Sequence, residues 1–302
     1  MSLFSSQSTN RPCAIRHKYE LASSRYLDVD GLRIHYTSEG SGPPLVLLHG
    51  VMASLHTWDG WVEQLASSFR LIRIDLPGFG LSDHLTDPAH YSPAHSIAIF
   101  DKVREAFGLE RFSIAGNSLG GFVAWYYAAH HPERVDKLIL VDPIAYPQPL
   151  PPIMQFVALP GIGEIARVFS PRALVEQSVR QVYGDPRAIN KEIVDRYYDL
   201  MMRAENRFAM VETFRRIKQM STDLSISAHI RRVRAPTLLM WGGKDRWVPP
   251  ALIENWKRDL ADVLVKLYPD AGHIPMEELP VETARDARAF LTTQPAVSAP
   301  LP

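Results

Sequence analysis

Short apolar runs that alternate with helical stretches constrain this chain more than any other feature of its sequence. The runs cover residues 45–48, 71–74, 112–115, 138–141, 237–241 and 263–268. Such runs are typical of strands buried on both faces of a parallel sheet, whereas residues 32–37 alternate like a half-buried strand. Between the runs, Ser92 and Pro93 open a predicted helix to about Phe107, and residues 119–130 and 281–291 are further helices. The order predicts an α/β fold with a mostly parallel, doubly wound sheet that binds ligands at the carboxyl ends of its strands.

The alternation stops between residues 143 and 234, where no convincing strand occurs. A proline-rich stretch is followed by predicted helices at residues 171–182, 191–202 and 207–219. Because strands resume at Thr237, an inserted helical cap is favoured over a second, independent helical domain. We therefore predict a core of residues 24–142 and 235–292, with the cap formed by residues 143–234. Residues 1–23 are expected to form a partly disordered extension, and residues 293–302 a disordered tail.

Charge and composition exclude several classes of function. The 302 residues carry a formal net charge of +0, so no basic footprint for nucleic acid is present. Cys13 is the only cysteine, which rules out an intrachain disulfide. The sequence has no apolar run of about 18 residues and no signal peptide pattern, so we expect a soluble, cytoplasmic protein without a membrane span. No zinc-binding spacing is found, and neither a metal nor a cofactor is expected. The sequence does not decide the oligomeric state.

The strongest local motif is the segment from Gly116 to Gly121, with the sequence Gly-Asn-Ser-Leu-Gly-Gly. It follows a predicted strand and precedes a predicted helix, which is the context of a nucleophile elbow. A sharp turn of this kind strains the serine backbone and requires small neighbours. We therefore predict Ser118 as a nucleophile at a helix N-terminus, where developing negative charge is favoured.

A serine hydroxyl needs a base to remove its proton, and the base needs a carboxylate to orient it. His273 follows the strand at residues 263–268, and Asp245 follows the strand at residues 237–241. The order Ser, acid, His is the order that this kind of fold uses. Asp142, which follows the strand at residues 138–141, is the rival acid. We favour Asp245 because two glycines before it let its loop bend over the strand ends.

An acyl-transfer reaction also needs donors for an oxyanion. The backbone N–H groups of Leu119 and Val51 are the predicted donors, and His49 is expected to brace the loop that carries Val51. We predict that Asn117, Met52 and Ile274 contact the substrate. The glycine-containing loop at residues 75–83 has neither the spacing nor the lysine of a phosphate-binding loop, so we interpret it as a structural loop.

Taken in their order, these motifs resemble the α/β-hydrolase superfamily, in the branch whose members carry a cap. The resemblance covers residues 25–291. Related dehalogenases and epoxide hydrolases use an aspartate nucleophile, and this chain has Ser118 at that position. The resemblance therefore implies hydrolysis through an acyl-enzyme intermediate, without a cofactor.

The resemblance extends to two kinds of hydrolase. The Gly-Asn-Ser-x-Gly-Gly form, which includes Asn117, resembles that of the carbon–carbon hydrolases that cleave meta-cleavage products. The resemblance implies that a cap arginine of this chain, such as Arg196, could bind the substrate carboxylate. The loop after Gly50 lacks their extra glycines, and Ile274 stands where they tend to carry tryptophan. A carboxylesterase for small to medium hydrophobic or aryl esters is therefore the first expectation, and a carbon–carbon hydrolase the alternative. A non-catalytic ligand receptor and a cofactor-free peroxidase are weaker alternatives.

Overall fold

A computed structural model describes residues 11–293 of the chain, and the side chains from residue 14 onward. Its centre is an eight-stranded sheet. The strands are β1 (Arg25–Val29), β2 (Leu32–Glu39), β3 (Pro44–Leu48), β4 (Arg70–Ile74), β5 (Phe112–Asn117), β6 (Val135–Val141), β7 (Thr237–Gly242) and β8 (Val263–Tyr268). Their spatial order is β1-β2-β4-β3-β5-β6-β7-β8. β2 pairs antiparallel with both β1 and β4, and all other pairs are parallel. The predicted α/β fold with a mostly parallel sheet is confirmed.

Helices connect and cover the strands. The first group is α1 (Arg11–Tyr19), α2 (Asp59–Leu65), α3 (Pro93–Ala106) and α4 (Leu119–His130). Between β6 and β7 the chain forms α5 (Pro152–Val157), α6 (Ile162–Val168), α7 (Arg172–Val182), α8 (Lys191–Met201), α9 (Ala204–Met220) and α10 (Leu224–Ser227). The last group is α11 (Ile253–Asp259), α12 (Pro275–Glu278) and α13 (Pro280–Thr292). In the described part of the chain, none of these helices combines the length and the apolarity that a bilayer crossing requires.

The core forms where the apolar runs of the sequence lie. β3 and β6 are almost wholly buried, and α4 packs on β5 and β6 with Trp125 and Tyr127 fully enclosed. Burial of each large apolar side chain contributes about 1.5–3 kcal/mol, so these central strands dominate the stability of the sheet. Ser92 caps α3 as predicted, because its hydroxyl accepts a hydrogen bond from the N–H of His95 at 3.3 Å.

The amino-terminal segment contains a helix that the sequence pattern did not indicate. Within the predicted extension of residues 1–23, residues 11–19 form α1, which packs on α8. Tyr19 is buried, and its hydroxyl donates to Asp199 at 2.8 Å. The helix has no amphipathic pattern to reveal it, because long-range contacts near its carboxyl end hold it, among them those of Lys18 and Tyr19 with Asp199. The first ten residues and residues 294–302, which include most of the predicted disordered tail, lie outside the described residues.

The segment between β6 and β7 is helical throughout its regular structure, with five of the six helices, α5 to α9, packed against one another. We call α5 to α10 the inserted helices. Parallel strands place their carboxyl ends at one edge of the sheet, so the loops after β3, β5, β6, β7 and β8 meet there. These loops carry the residues that the sequence analysis selected.

Candidate active site

Ser118 occupies a strained turn between β5 and α4. Its backbone has φ 52° and ψ −112°, a conformation that residues with a side chain adopt at a cost of about 1–3 kcal/mol. Three main-chain hydrogen bonds hold it. The N–H of Ser118 donates to Val141 O at 3.0 Å, and Ser118 O accepts from the N–H groups of Phe122, at 2.9 Å, and Ile144, at 3.3 Å. The turn therefore fixes the hydroxyl at the amino end of α4.

Gly120 explains why the residues around Ser118 must be small. A Cβ atom at Gly120 would lie 2.3 Å from the carbonyl oxygen of Leu48. The first turn of α4 thus approaches the backbone of β3 more closely than any side chain allows. This contact brings the loop after β3, with Gly50 and Val51, beside Ser118.

His273 and Asp245 are joined by a hydrogen bond. Nδ1 of His273 lies 2.7 Å from Oδ2 of Asp245, and both side chains are buried. The second oxygen of Asp245 accepts hydrogen bonds from the N–H groups of Trp247, at 2.7 Å, and Val248, at 3.0 Å. The carboxylate is therefore fixed on both sides, and it orients the imidazole so that Nε2 remains free to exchange a proton.

Ser118 and His273 line the same cavity, which has a volume of about 40 Å³. No hydrogen bond joins the Ser118 hydroxyl to a side chain of the residues that the structure describes. Catalytic hydrogen bonds are often long without substrate and tighten in the complex. The structure thus brings together Ser118, Asp245 and His273 at one edge of the sheet, although 127 and 28 residues separate them along the chain.

Asp142, the rival acid, lies beside Asp245 rather than apart from it. Carboxylate oxygens of both residues and a ring nitrogen of His273 lie within 4.8 Å of one another. Oδ1 of Asp142 accepts a hydrogen bond from the N–H of Gly242 at 3.0 Å. Burial, reinforced by the charge of Asp245, raises the pKa of Asp142 well above its usual range. Asp142 therefore favours its protonated form, and Asp245 is the residue hydrogen-bonded to the imidazole.

Three donor atoms this close also form a set that could bind a metal ion. The hydrogen bond between His273 and Asp245 already uses two of them. A protonated Asp142 is a poor metal ligand, because ligands bind metals in their deprotonated form. The cluster is accordingly better suited to proton transfer than to metal binding.

The loop that carries His273 is held from three directions. The N–H of His273 donates to Val182 O at 2.7 Å, and Asn117 Nδ2 donates to His273 O at 3.0 Å. Glu278 accepts from the N–H groups of Gly272, at 2.6 Å, and Gly184, at 2.8 Å. Sequence reasoning missed Glu278, whose only signal is its position five residues after His273.

The residues predicted to contact substrate have different surroundings. Met52 and Ile274 line the cavity beside Ser118, as does Asn117. The amide nitrogen of Asn117 donates to Val141 O at 3.1 Å as well as to His273 O. Both of its N–H bonds are therefore used to hold the loops together, and positioning is its main role here.

The two predicted oxyanion donors flank Ser118. Leu119 is the first residue of α4, so its N–H is one of the donors that a helix leaves without an intrahelical partner. Val51 lines the cavity, and the next residue, Met52, has φ 61°, which turns the loop sharply after β3. This placement is compatible with the predicted oxyanion role.

His49 braces that loop. Its Nδ1 lies 2.7 Å from Gly50 O, and its Nε2 accepts a hydrogen bond from the N–H of Leu76 at 3.0 Å. Complete burial lowers the pKa of His49, so the ring is neutral and carries its proton on Nδ1. Both nitrogens are occupied by the backbone, as expected for a structural residue.

Asp75 organises the glycine-containing loop after β4. It accepts hydrogen bonds from the N–H groups of Leu55 at 2.7 Å and Leu81 at 2.8 Å, and it lies 2.6 Å from Nδ1 of His35. Burial opposes its ionisation, but His35 and these donors outweigh burial and lower the pKa of Asp75. This buried network supports the structural interpretation of the loop.

Two further residues shape the site in ways the sequence did not reveal. Trp247 stacks on His273, with ring centroids 6.1 Å apart and an interplanar angle of 24°. Arg196, the candidate ligand for a substrate carboxylate, instead forms an ion pair with Glu277, and Tyr197 donates to the same carboxylate at 3.0 Å. No Lys or Arg is found among the described residues that line the cavity beside Ser118.

Known proteins share this architecture and sequence pattern. Residues 43–159 and 173–280 match the family described as the alpha/beta hydrolase fold. A 2-hydroxy-6-oxononadienedioate/2-hydroxy-6-oxononatrienedioate hydrolase of Paraburkholderia phymatum is 29% identical over 248 residues, which are 76% of this chain and 82% of that protein. Lipase 1 of Psychrobacter immobilis is 26% identical over 290 residues, covering 91% and 86% of the two chains.

A solved structure agrees with this assignment. The crystal structure of a membrane phospholipase A, described as a novel bacterial virulence factor, superposes with a TM-score of 0.75 and 30% identity. The match covers 89% of this chain and 85% of that one. The family match spans well over half of the chain, and the resemblance expected from the sequence is confirmed. We conclude that the chain is a hydrolase that belongs to the α/β-hydrolase fold family.

Proposed function

We propose that this hydrolase cleaves carboxylic esters of uncharged, hydrophobic acids through an acyl-enzyme intermediate. The fold alone does not choose the reaction, because one fold hosts many chemistries. The observation that carries the proposal is the cavity beside Ser118. Among the described residues that line it, only His273 and Tyr197 can titrate, and no cation is present to bind a substrate carboxylate.

The proposed reaction uses the residues at the strand ends in sequence. Oγ of Ser118 attacks the ester carbonyl while Nε2 of His273 takes the hydroxyl proton. Asp245 stabilises the imidazolium, and the N–H groups of Leu119 and Val51 bind the oxyanion. His273 returns its proton to the leaving alcohol as the C–O bond breaks. Water then attacks the acyl-enzyme by the same steps and releases the acid and free Ser118.

The neighbours of Ser118 support this course. The strained backbone at φ 52° is typical of a nucleophile elbow, and Ser118 lines the cavity. Two similar proteins are named as a lipase and a phospholipase A, which are names of ester hydrolases. We further propose that the inserted helices act as the cap that covers the cavity, since Ser178, Val179 and Val182 of α7 contribute to its lining.

Cleavage of carbon–carbon bonds in meta-cleavage products is the second candidate. It is favoured by the relative from Paraburkholderia phymatum and by Asn117. Arg196 weakens it, because Glu277 neutralises the guanidinium that would bind the dienoate carboxylate. An ester hydrolase needs no such cation.

Labelling and a substrate panel test the proposal. A fluorophosphonate should label Ser118, as peptide mass analysis would show, and Ser118→Ala should lower kcat for p-nitrophenyl butanoate by at least 10⁴-fold. The same enzyme should cleave p-nitrophenyl esters far faster than a 2-hydroxy-6-oxo-dienoate. Faster cleavage of the dienoate would replace our proposal with the second candidate. Ester cleavage that survives Ser118→Ala would exclude the acyl-enzyme.

A further inference from the structure

The inserted helices enclose a second, larger compartment next to the cavity of Ser118. It measures about 240 Å³, against about 40 Å³ for the smaller cavity. Both spaces are lined by Met52, Ser178 and Trp247, so the two spaces meet at these residues, which we call the junction. We call the larger space the helix compartment. A substrate bound at Ser118 that is too large for the smaller cavity has this space as its continuation.

The walls of the helix compartment are apolar. They come mainly from α5, α6, α7 and α9, and no charged side chain lines the compartment within the described part of the chain. Its two hydroxyl groups are already engaged: Ser170 donates to Ala166 O and Ser178 to Leu174 O, each at 2.9 Å. A ligand therefore finds only apolar side chains beyond the junction, which selects against carboxylates and sugars.

The two spaces suit different parts of one molecule. The cavity beside Ser118 holds the residues of the proposed reaction, and the helix compartment is apolar. A molecule with its carbonyl group beside Ser118 and an apolar tail in the helix compartment matches both environments. An ester of a long-chain acid has this form.

The compartment opens to solvent through apolar side chains. Phe156, Ile165, Phe169 and Leu174 line it and are 54%, 60%, 66% and 47% exposed. Contiguous exposed apolar side chains on a monomer commonly mark a binding site. The distal end of a tail longer than the compartment would extend over these residues rather than into water.

We propose that the helix compartment is the acyl-chain site and that the preferred substrates are esters of carboxylic acids with chains of about eight or more carbons. This proposal rests on the proposed ester hydrolysis and specifies its substrate class. Each methylene group that enters the compartment gains transition-state binding until the space is filled. We place the acyl part, rather than the alcohol part, in the compartment, and a comparison of chains on the two sides of the ester tests this choice.

A chain-length series on the wild-type enzyme is the first test. Values of kcat/KM for p-nitrophenyl esters should rise at least tenfold from butanoate to decanoate. Decyl acetate, which carries the same chain on its alcohol side, should be cleaved at least tenfold more slowly than ethyl decanoate. Equal rates for butanoate and decanoate, or a preference for decyl acetate, would overturn the proposal.

A filling variant with a matched control locates the effect. Ala166 lines the compartment on α6, whereas Ala173 is exposed on α7 and lines neither space. Ala166→Trp should lower kcat/KM for decanoate at least tenfold and leave acetate within about twofold, and Ala173→Trp should change neither. Equal losses for every chain length, or no loss, would contradict the assignment.

An independent measurement covers the case in which Ala166→Trp does not fold. The wild-type enzyme should react with p-nitrophenyl octylphosphonate at least tenfold faster than with the ethyl analogue, with both labels on Ser118. Equal rates would overturn the acyl-chain site. Labelling of Ser118 at equal rates would still be consistent with ester hydrolysis. The absence of any labelling of Ser118 would instead contradict the proposed ester hydrolysis itself.

Discussion

The edge of the sheet and the inserted helices are built in opposite ways. At the sheet edge, His273 and Asp245 are buried, and each is fixed by several hydrogen bonds. In the inserted helices, Phe169 and Val168 are 66% and 78% exposed, and apolar side chains form most of the walls of the helix compartment. In our proposal, polar geometry at the sheet edge sets the chemistry, and the apolar surface of the inserted helices selects the substrate. Changes in the first region should act on rate, and changes in the second on substrate preference.

The largest effect should come from the acid. Asp245→Asn removes the acceptor charge beside Nδ1 of His273, so we expect kcat for p-nitrophenyl butanoate to fall about 10⁴-fold. Asp142→Asn should cost less than tenfold, because Asp142 makes no hydrogen bond to the imidazole and an amide oxygen can still accept from the N–H of Gly242. Steady-state kinetics of the two variants, with circular dichroism to verify folding, separates them. The reverse ranking would make Asp142 the catalytic acid.

The next effect concerns the contact between the loop that carries Asp245 and the loop that carries His273. A Cβ atom at Gly242 would lie 1.7 Å from Gly272 O, so Gly242→Ala forces the two loops apart. We expect the free energy of unfolding to fall by about 3 kcal/mol, with a larger loss of activity than of stability. Urea denaturation and kcat measure the two quantities. Gly108→Ala is the comparison variant. Its position has a positive φ but no atom within 4 Å, so it measures the cost of backbone strain without a steric clash.

Asp142 should make stability depend on pH in a definite direction. Because burial and Asp245 raise its pKa in the folded state, the folded protein binds its proton more tightly than the unfolded chain does. The stabilisation is complete below the unfolded pKa of about 3.9 and is lost as pH rises toward the folded pKa.

Asp142→Asn cannot titrate at that position. Its free energy of unfolding relative to wild type should therefore rise by up to about 1.4 kcal/mol per pH unit in this interval. Urea denaturation of both proteins at pH 5, 6, 7 and 8 measures the difference. A difference that stays constant across that range would show that Asp142 is ionised in the folded state.

The smallest effect should be at the mouth of the helix compartment. Phe169→Ser removes an exposed side chain, so the free energy of unfolding should change by less than about 0.5 kcal/mol. Leu224→Ser, at a 72% exposed position outside the compartment, is the matched control. Only Phe169→Ser should raise KM for decanoate. A stability loss above about 2 kcal/mol would contradict the contrast between the two regions.

Local patterns predicted the parts of the site that neighbouring residues determine. The segment from Gly116 to Gly121 specified the turn at Ser118, because its steric demands are met within six residues. The strand ends before Asp245 and His273 were equally visible, since a buried parallel strand leaves an apolar run. The order of these residues then sufficed to identify the fold.

Features that depend on distant partners could not be read from the sequence. The amide nitrogen of Asn117 donates to His273 O across 156 positions of the sequence. No residue near Asn117 indicates that its amide would hold the loop of His273. Asp142 and Asp245 competed for one role in the sequence, yet the sheet places them side by side, and only Asp245 is hydrogen-bonded to His273. The helix α1 and the strand β1 also escaped prediction, because their regular structure rests on tertiary contacts such as that of Tyr19 with Asp199.

The hydrogen bond from the N–H of His273 to Val182 O ties the base to the last residue of α7. Glu278 adds a second tie through Gly184. A chain shortened by joining β6 directly to β7 would leave the imidazole without these supports, so the inserted helices are not a removable cover. The helix α7, which lines both the cavity beside Ser118 and the helix compartment, thus also supports the loop of the proposed proton acceptor.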